Sequence, residues 1–138
     1  MNEHIVKSYE DELNTLTADC ARMGGLTEAQ VGDALDAVVK RDQALAESVV
    51  GRDERLDLLE ADIERKAIRL IALRQPMAAD LRVIIGAMKA SNDLERIGDY
   101  ARNAAKRAIV LASLPPLGSL NGFERMAHLV QENLKAAM

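Results

Sequence analysis

The chain has no tryptophan, one phenylalanine and two tyrosines, so aromatics make up only 2% of its 138 residues. Its single cysteine, Cys20, excludes an internal disulfide and suits a reducing compartment. Only two histidines occur, His4 and His128, which leaves a Glu-x-x-His di-iron pattern or a nitrogen- and sulfur-ligated zinc site without ligands. A basic excess is also missing: the net charge is −4, against the positive face that nucleic acid requires. The most apolar run, "AIVLASLPPLG", is too short to span a bilayer and is broken by proline. The opening "MNEHIVKSYEDE" carries charge from its third residue and lacks the apolar centre of a signal peptide. The expectation is a cytoplasmic, soluble protein. No glycine-rich phosphate loop is present and no histidine is placed beside Ser8, Ser48 or Ser91, so no enzyme is indicated.

What fills the chain is Ala, Leu, Ile, Val, Glu, Asp, Arg and Lys, a mixture that favours long helices over strands. Ile5, Tyr9, Leu13, Leu16, Cys20, Met23, Leu26, Ala34 and Val38 recur mostly at spacings of three and four, which predicts one helix from about Glu3 to Lys40. Thr27 with Gln30 is a candidate capping box that would instead start a new helix after Gly24-Gly25; the single helix is favoured because it matches its neighbours in length. Asp42 caps a second helix running to about Arg74, with a heptad-like stripe of Leu45, Val49, Leu56, Leu59, Ile63 and Leu70. Gln75-Pro76 ends it, and Pro76 is suited to the first turn of a third helix reaching about Leu114. Helices of this length extend ~50 Å, and short connections make neighbours antiparallel. The predicted fold is all-α: an antiparallel three-helix bundle over residues 1–114, followed by a linker and an incomplete further helix over 115–138. Shifting the sequence by 99 residues places Val31, Asp33 and Leu35 on Val130, Glu132 and Leu134, a hint that this last helix opens a second repeat.

Two acidic pairs at helical spacing stand out, Asp53 with Asp57 and Glu95 with Asp99. Counted from the Gln75-Pro76 turn they lie at the same height, with Glu60 and Glu64 extending the row. The apolar stripe of the third helix, Met77, Leu81, Ile84 and Met88, continues as Asn92, Glu95 and Asp99. Four converging carboxylates repel one another and need neutralising. One answer is a metal: all-oxygen ligands suit Mg²⁺, Ca²⁺, Mn²⁺ or carboxylate-bridged iron. The other is a solvated face whose acids pair with Arg52, Arg55, Arg96 and Arg102. Gly98 would let the helices approach closely, either for a site or only as a packing notch.

"RQPMAADLRVIIGAMKASNDLERIGDYARN", residues 74–103, resembles the signature of the PhoU family of bacterial phosphate-transport and phosphate-signalling regulators. "MGGLTEAQVGDAL" (23–35) and "VVGRDERLDLLEADIE" (49–64) match earlier segments of that family in order. The resemblance implies two tandem three-helix bundles, assembled as homodimers, with residues 1–114 as the first repeat and 115–138 as the start of the second. It implies that Asp53, Asp57, Glu95 and Asp99 are metal ligands, for a multinuclear iron cluster or for manganese, magnesium or zinc. It further implies a negative regulator of phosphate uptake and starvation signalling. Such a protein links the phosphate ABC transporter ATPase to a sensor histidine kinase, and meets the membrane only through these partners. Arg96 would then be an ion-pair partner or a docking residue. A metal-storage or carboxylate-bridged iron oxidase bundle is the alternative function, disfavoured by the missing histidines and by a row of acids that reads as peripheral.

Overall fold

The computed structural model describes residues 2–138, which form four α-helices: α1 (Asn2–Lys40), α2 (Gln43–Arg74), α3 (Ala78–Ala112) and α4 (Asn121–Ala137). The first three pack on one another as an all-α bundle, and α4 lies against α1. No helix among the described residues is long and apolar enough to cross a membrane.

Each long helix buries one heptad seam. The buried positions of α2 are Ala46, Val49, Asp53, Leu56, Ile63, Ala67 and Leu70, and those of α3 are Ile84, Ala87, Ser91, Leu94, Gly98, Ala101, Ala105 and Ala108. Alternating steps of three and four keep one face turned to the partners over the whole length. In α1 the seam runs through Leu16, Met23, Thr27, Gln30, Ala34 and Ala37 without breaking at Gly24-Gly25. The single-helix expectation therefore holds, and Thr27, fully buried inside the helix, is not a cap. Gly24 and, two turns on, Gly32 serve the outer contact with α4, lying beneath Met138 and Gln131, whereas Gly25 has no neighbour within 4 Å.

The core has two unlike halves. Toward the α2–α3 turn it is built of Leu16, Met23, Leu56, Ile63, Leu70, Ile84 and Leu94. Toward the α1–α2 turn it is alanine-rich, with Ala34, Ala37, Ala46, Ala101, Ala105 and Ala108 around Val31 and Val49. Burying each large aliphatic side chain contributes roughly 1.5–3 kcal/mol, so the first half holds most of the hydrophobic stabilisation. Between the halves stands a polar layer of Gln30, Asp53 and Gly98.

Both tight turns use a non-glycine residue in the left-handed region, Arg41 (φ 54°) and Gln75 (φ 46°). Asp42 caps α2 as expected, accepting from the Leu45 amide at 3.0 Å. Arg41 donates to the Ala112 carbonyl at the end of α3 and to the Leu114 carbonyl just beyond it. One expectation fails here: Pro76 does not enter the first turn of α3. Gln75 turns the chain in the left-handed region and Met77, extended at φ −69° and ψ 164°, is the N-cap, so the helix begins at Ala78. It also ends at Ala112, two residues before Leu114. The predicted α3 stripe holds at Ile84, which is buried, with Leu81 and Met88 half-buried, but its ends fail: Met77 is 80% exposed and Asn92 is exposed, while the buried seam continues through Ser91, Leu94 and Gly98. Glu95 and Asp99 thus flank the seam as half-buried residues rather than continuing it.

Candidate metal centre

Asp53 occupies a seam position and is 3% exposed, so its carboxylate lies among helices and not on a rim. Asp53 alone departs from the reading of the acids as a peripheral row: Asp57 and Glu64 are exposed, and Glu60, Glu95 and Asp99 are half-buried. Its two oxygens have different partners. Oδ1 accepts from Gln30 Nε2 at 2.9 Å, and the same amide nitrogen donates to the Gly98 carbonyl at 3.2 Å. Oδ2 accepts from Arg102 Nη1 at 2.9 Å. Gln30 therefore fixes the carboxylate so that its second oxygen serves the α2–α3 side. Gly98 makes the space: a Cβ there would lie 2.5 Å from Leu56 Cδ1 and 3.6 Å from Asp53 Oδ1.

On that side Asp57 and Asp99 join Asp53, with one oxygen from each within 4.8 Å of the others. Glu95, the fourth residue expected, falls outside this mutual group; burial first, then Asp99 and Asp57, raise its pKa. Of the arginines expected to neutralise the row, only Arg102 reaches it, with Nη2 3.6 Å from Asp99 Oδ1. Arg52 pairs instead with Asp33 on α1 at 2.6 Å, and Arg55 and Arg96 are exposed and make no ion pair among the described residues.

One guanidinium does not balance these carboxylates. Burial pushes the Asp53 carboxyl above its ordinary range although Gln30 and Arg102 pull it down. Burial is also the main cause for Glu95, raised to about 7, with Asp99, Asp57 and Glu60 adding to it. Glu60 is raised by burial, then by Glu64, Asp57 and Asp99. A folded-state pKa near 7 against an ordinary 4.5 means that the folded chain holds the Glu95 proton more tightly than the unfolded chain does. The stability this gives is full below about pH 4.5 and is lost as pH rises through 7. Thermal melts with a chelator present should show a higher midpoint at pH 5.5 than at pH 8, and Glu95→Gln should flatten that slope. A midpoint that rises across this window would contradict the arrangement.

The residues fit a hard cation on three observations. The donor set is all carboxylate. The Gly98 notch keeps a methyl group out of the layer. A cation, the Arg102 guanidinium, already stands on two of the acids while its own Nε is shielded from solvent without an acceptor. Gln30 was missed as a site residue; the signal for it was its position on the α1 seam, at the height of Asp53 across the Arg41-Asp42 turn.

An antiparallel helical bundle with a buried carboxylate layer and a cluster of acids on one interhelical face defines the class: an all-α helical protein with a candidate cation site. Residues 20–108 match the PhoU domain model. A phosphate-specific transport system accessory protein PhoU homolog from Caulobacter vibrioides is 55% identical over 136 residues, covering 98% of this chain and 59% of that protein. The homolog of the same description from Aquifex aeolicus is 45% identical over 121 residues, covering 88% and 55%. The crystal structure of PhoU from Pseudomonas aeruginosa superposes with a TM-score of 0.89 at 36% identity, covering 92% of this chain and 61% of that one. The chain belongs to the PhoU family. It spans about three fifths of the length of these relatives.

Proposed function

We propose that this chain is the regulatory first repeat of a phosphate-transport accessory protein, residues 1–114, with 115–138 opening a second repeat. In this reading it acts in the cytoplasm, within a homodimer, as a metal-loaded adaptor. It joins the phosphate ABC transporter ATPase to a sensor histidine kinase and lowers phosphate uptake and starvation signalling when phosphate is plentiful. The relatives' description as phosphate-specific transport system accessory proteins supports the phosphate-transport part of the reading. The observation that carries the metal part is the convergence of Asp53, Asp57 and Asp99 around a layer already holding a cation. Asp53, Asp57 and Asp99 would hold the ion, with Glu95 at the edge of the set. A bound divalent cation, whether iron, manganese, magnesium or zinc, would supply neutralisation of the acids. Gln30 would keep Asp53 oriented and the hydrophobic halves above and below would limit water.

The test has two arms. Asp99→Ala should lower the metal retained after purification at least several-fold by elemental analysis, because only Asp53 and Asp57 would remain of the close triad. Unchanged metal content would defeat the ligand assignment. Separately, this chain and a version extended through a second repeat would be used to capture partners from cytoplasm and solubilised membranes at high and low phosphate. Enrichment of the transporter ATPase or the kinase supports the adaptor role, and failure to enrich either with both chains removes it.

A further inference from the structure

Of the three clustered acids, Asp53 has each oxygen committed. Oδ1 is taken by Gln30 at 2.9 Å, and Oδ2, the oxygen serving the α2–α3 side, is taken by Arg102 at 2.9 Å. A metal ligated by Asp53 would need Oδ2 at roughly 2.0–2.6 Å. The Arg102 Nη1 position and such an ion would then share one oxygen within a few ångströms of each other, and two cations so placed repel. The Arg102 Nη2 on Asp99 creates the same conflict at a second ligand. Each of these two contacts therefore disfavours the ion while the guanidinium is seated.

We infer that Arg102 is the internal counter-cation of the metal-free site and that metal uptake is an exchange in which the Arg102 guanidinium leaves. This deepens the metal-site reading and rests on it. Three features suit Arg102 to leaving. Its side chain is 32% exposed against 4% for Asp53, so its path to solvent is open while Asp53 stays in place. Its Nε is shielded without an acceptor, so the seated pose leaves a donor unsatisfied that water would satisfy. It lies on α3 one turn from Asp99, and its guanidinium is carried on a long side chain with several rotatable bonds. The exchange also makes metal load visible outside: a positive charge held between helices in the metal-free chain moves to the exposed face that carries Arg96 and Lys106.

A residue that competes with the ion must weaken its binding, whereas one that merely supports the ligands must strengthen it. If Arg102 occupies the cluster nine tenths of the time, removing it tightens apparent affinity about tenfold. Mn²⁺ would be titrated calorimetrically into the parent chain, Arg102→Gln, Arg102→Lys and Asp99→Asn, each checked for a cooperative melt. The exchange predicts about tenfold tighter binding for Arg102→Gln and an intermediate value for Arg102→Lys. Equal or weaker binding by Arg102→Gln, with binding still lost in Asp99→Asn, overturns the exchange and leaves the metal site standing. Mn²⁺ binding unaffected by Asp99→Asn sinks the metal reading itself. A second measurement needs no variant: the Arg102 Nε–H resonance should exchange slowly with water in the metal-free parent chain and quickly after Mg²⁺ is added. A resonance that stays protected at saturating Mg²⁺ shows that the arginine does not leave.

Discussion

Replacing the two buried polar side chains of the central layer, Gln30→Leu together with Asp53→Val, is expected to raise the melting temperature of the metal-free chain while abolishing its metal uptake. The layer interrupts a heptad seam that is otherwise apolar or small, and Asp53 is raised in pKa chiefly by its own burial. A carboxylate in that position costs desolvation that Gln30 and Arg102 only partly offset. Substituting a buried ion pair by apolar residues of similar volume is commonly neutral to stabilising by about 1–4 kcal/mol. Because Arg102 is partly exposed and can turn to water, the lower half of that range applies, or a midpoint shift of about 3–8 °C. Gln30→Leu alone should move the other way, since it strips Asp53 Oδ1 of its donor and leaves the acid in place. Thermal melts of the single and double variants with chelator decide the matter. A lower midpoint for the double variant would mean that the polar layer holds the bundle together instead of being carried by it.

Gly98→Ala should destabilise the fold, although alanine is the better helix former. The added Cβ would stand 2.5 Å from Leu56 Cδ1, and Leu56 is 1% exposed, so it has nowhere to retreat. Overpacking of this kind costs roughly 1–3 kcal/mol, against a helix-propensity gain of about 0.5–1 kcal/mol. Gly51→Ala is the control: nothing lies within 4 Å of its added methyl, so only the gain should appear. The cause can be isolated with a double-mutant cycle. Leu56→Ala alone creates a cavity costing about 2–5 kcal/mol, and in that background Gly98→Ala should cost nothing or restore stability. Purely additive penalties in denaturant unfolding would show that the contact with Leu56 is not the reason for the glycine. The new methyl would meet Asp53 and Gln30 only at ordinary contact distances, 3.6 and 3.8 Å, so the clash is with Leu56 alone.

The acids show where reasoning along the chain succeeds and where it stops. Asp53, Asp57 and Asp99 were legible because a tight turn fixes relative height on two antiparallel helices, and height is a matter of counting. Depth was not legible. The α3 stripe read through Leu81, Ile84 and Met88 meets the buried seam at Ile84 and then runs one position aside from it, at Met88 and Asn92 instead of Ala87 and Ser91, because several phases of an alanine-rich helix are nearly equally apolar. Only the neighbours choose among them. The same ambiguity hid Gln30, which the sequence offered only as part of a disfavoured capping box, and it made Asp53 look peripheral.

The sequence by itself determined the helices, their lengths within a few residues and their antiparallel order, since apolar periodicity, the Asp42 cap and the Gln75-Pro76 turn act over short distances. It also determined that the acids of two helices meet at one level. The tertiary structure alone decided which of them is buried, which nitrogen holds each of its oxygens, and that Arg102 rather than Arg52, Arg55 or Arg96 stands among them. Burial and pairing depend on the rotation of each helix against two others. That rotation is set by the packing of Leu56 against Gly98 and of the alanine-rich half, contacts between residues far apart in the chain.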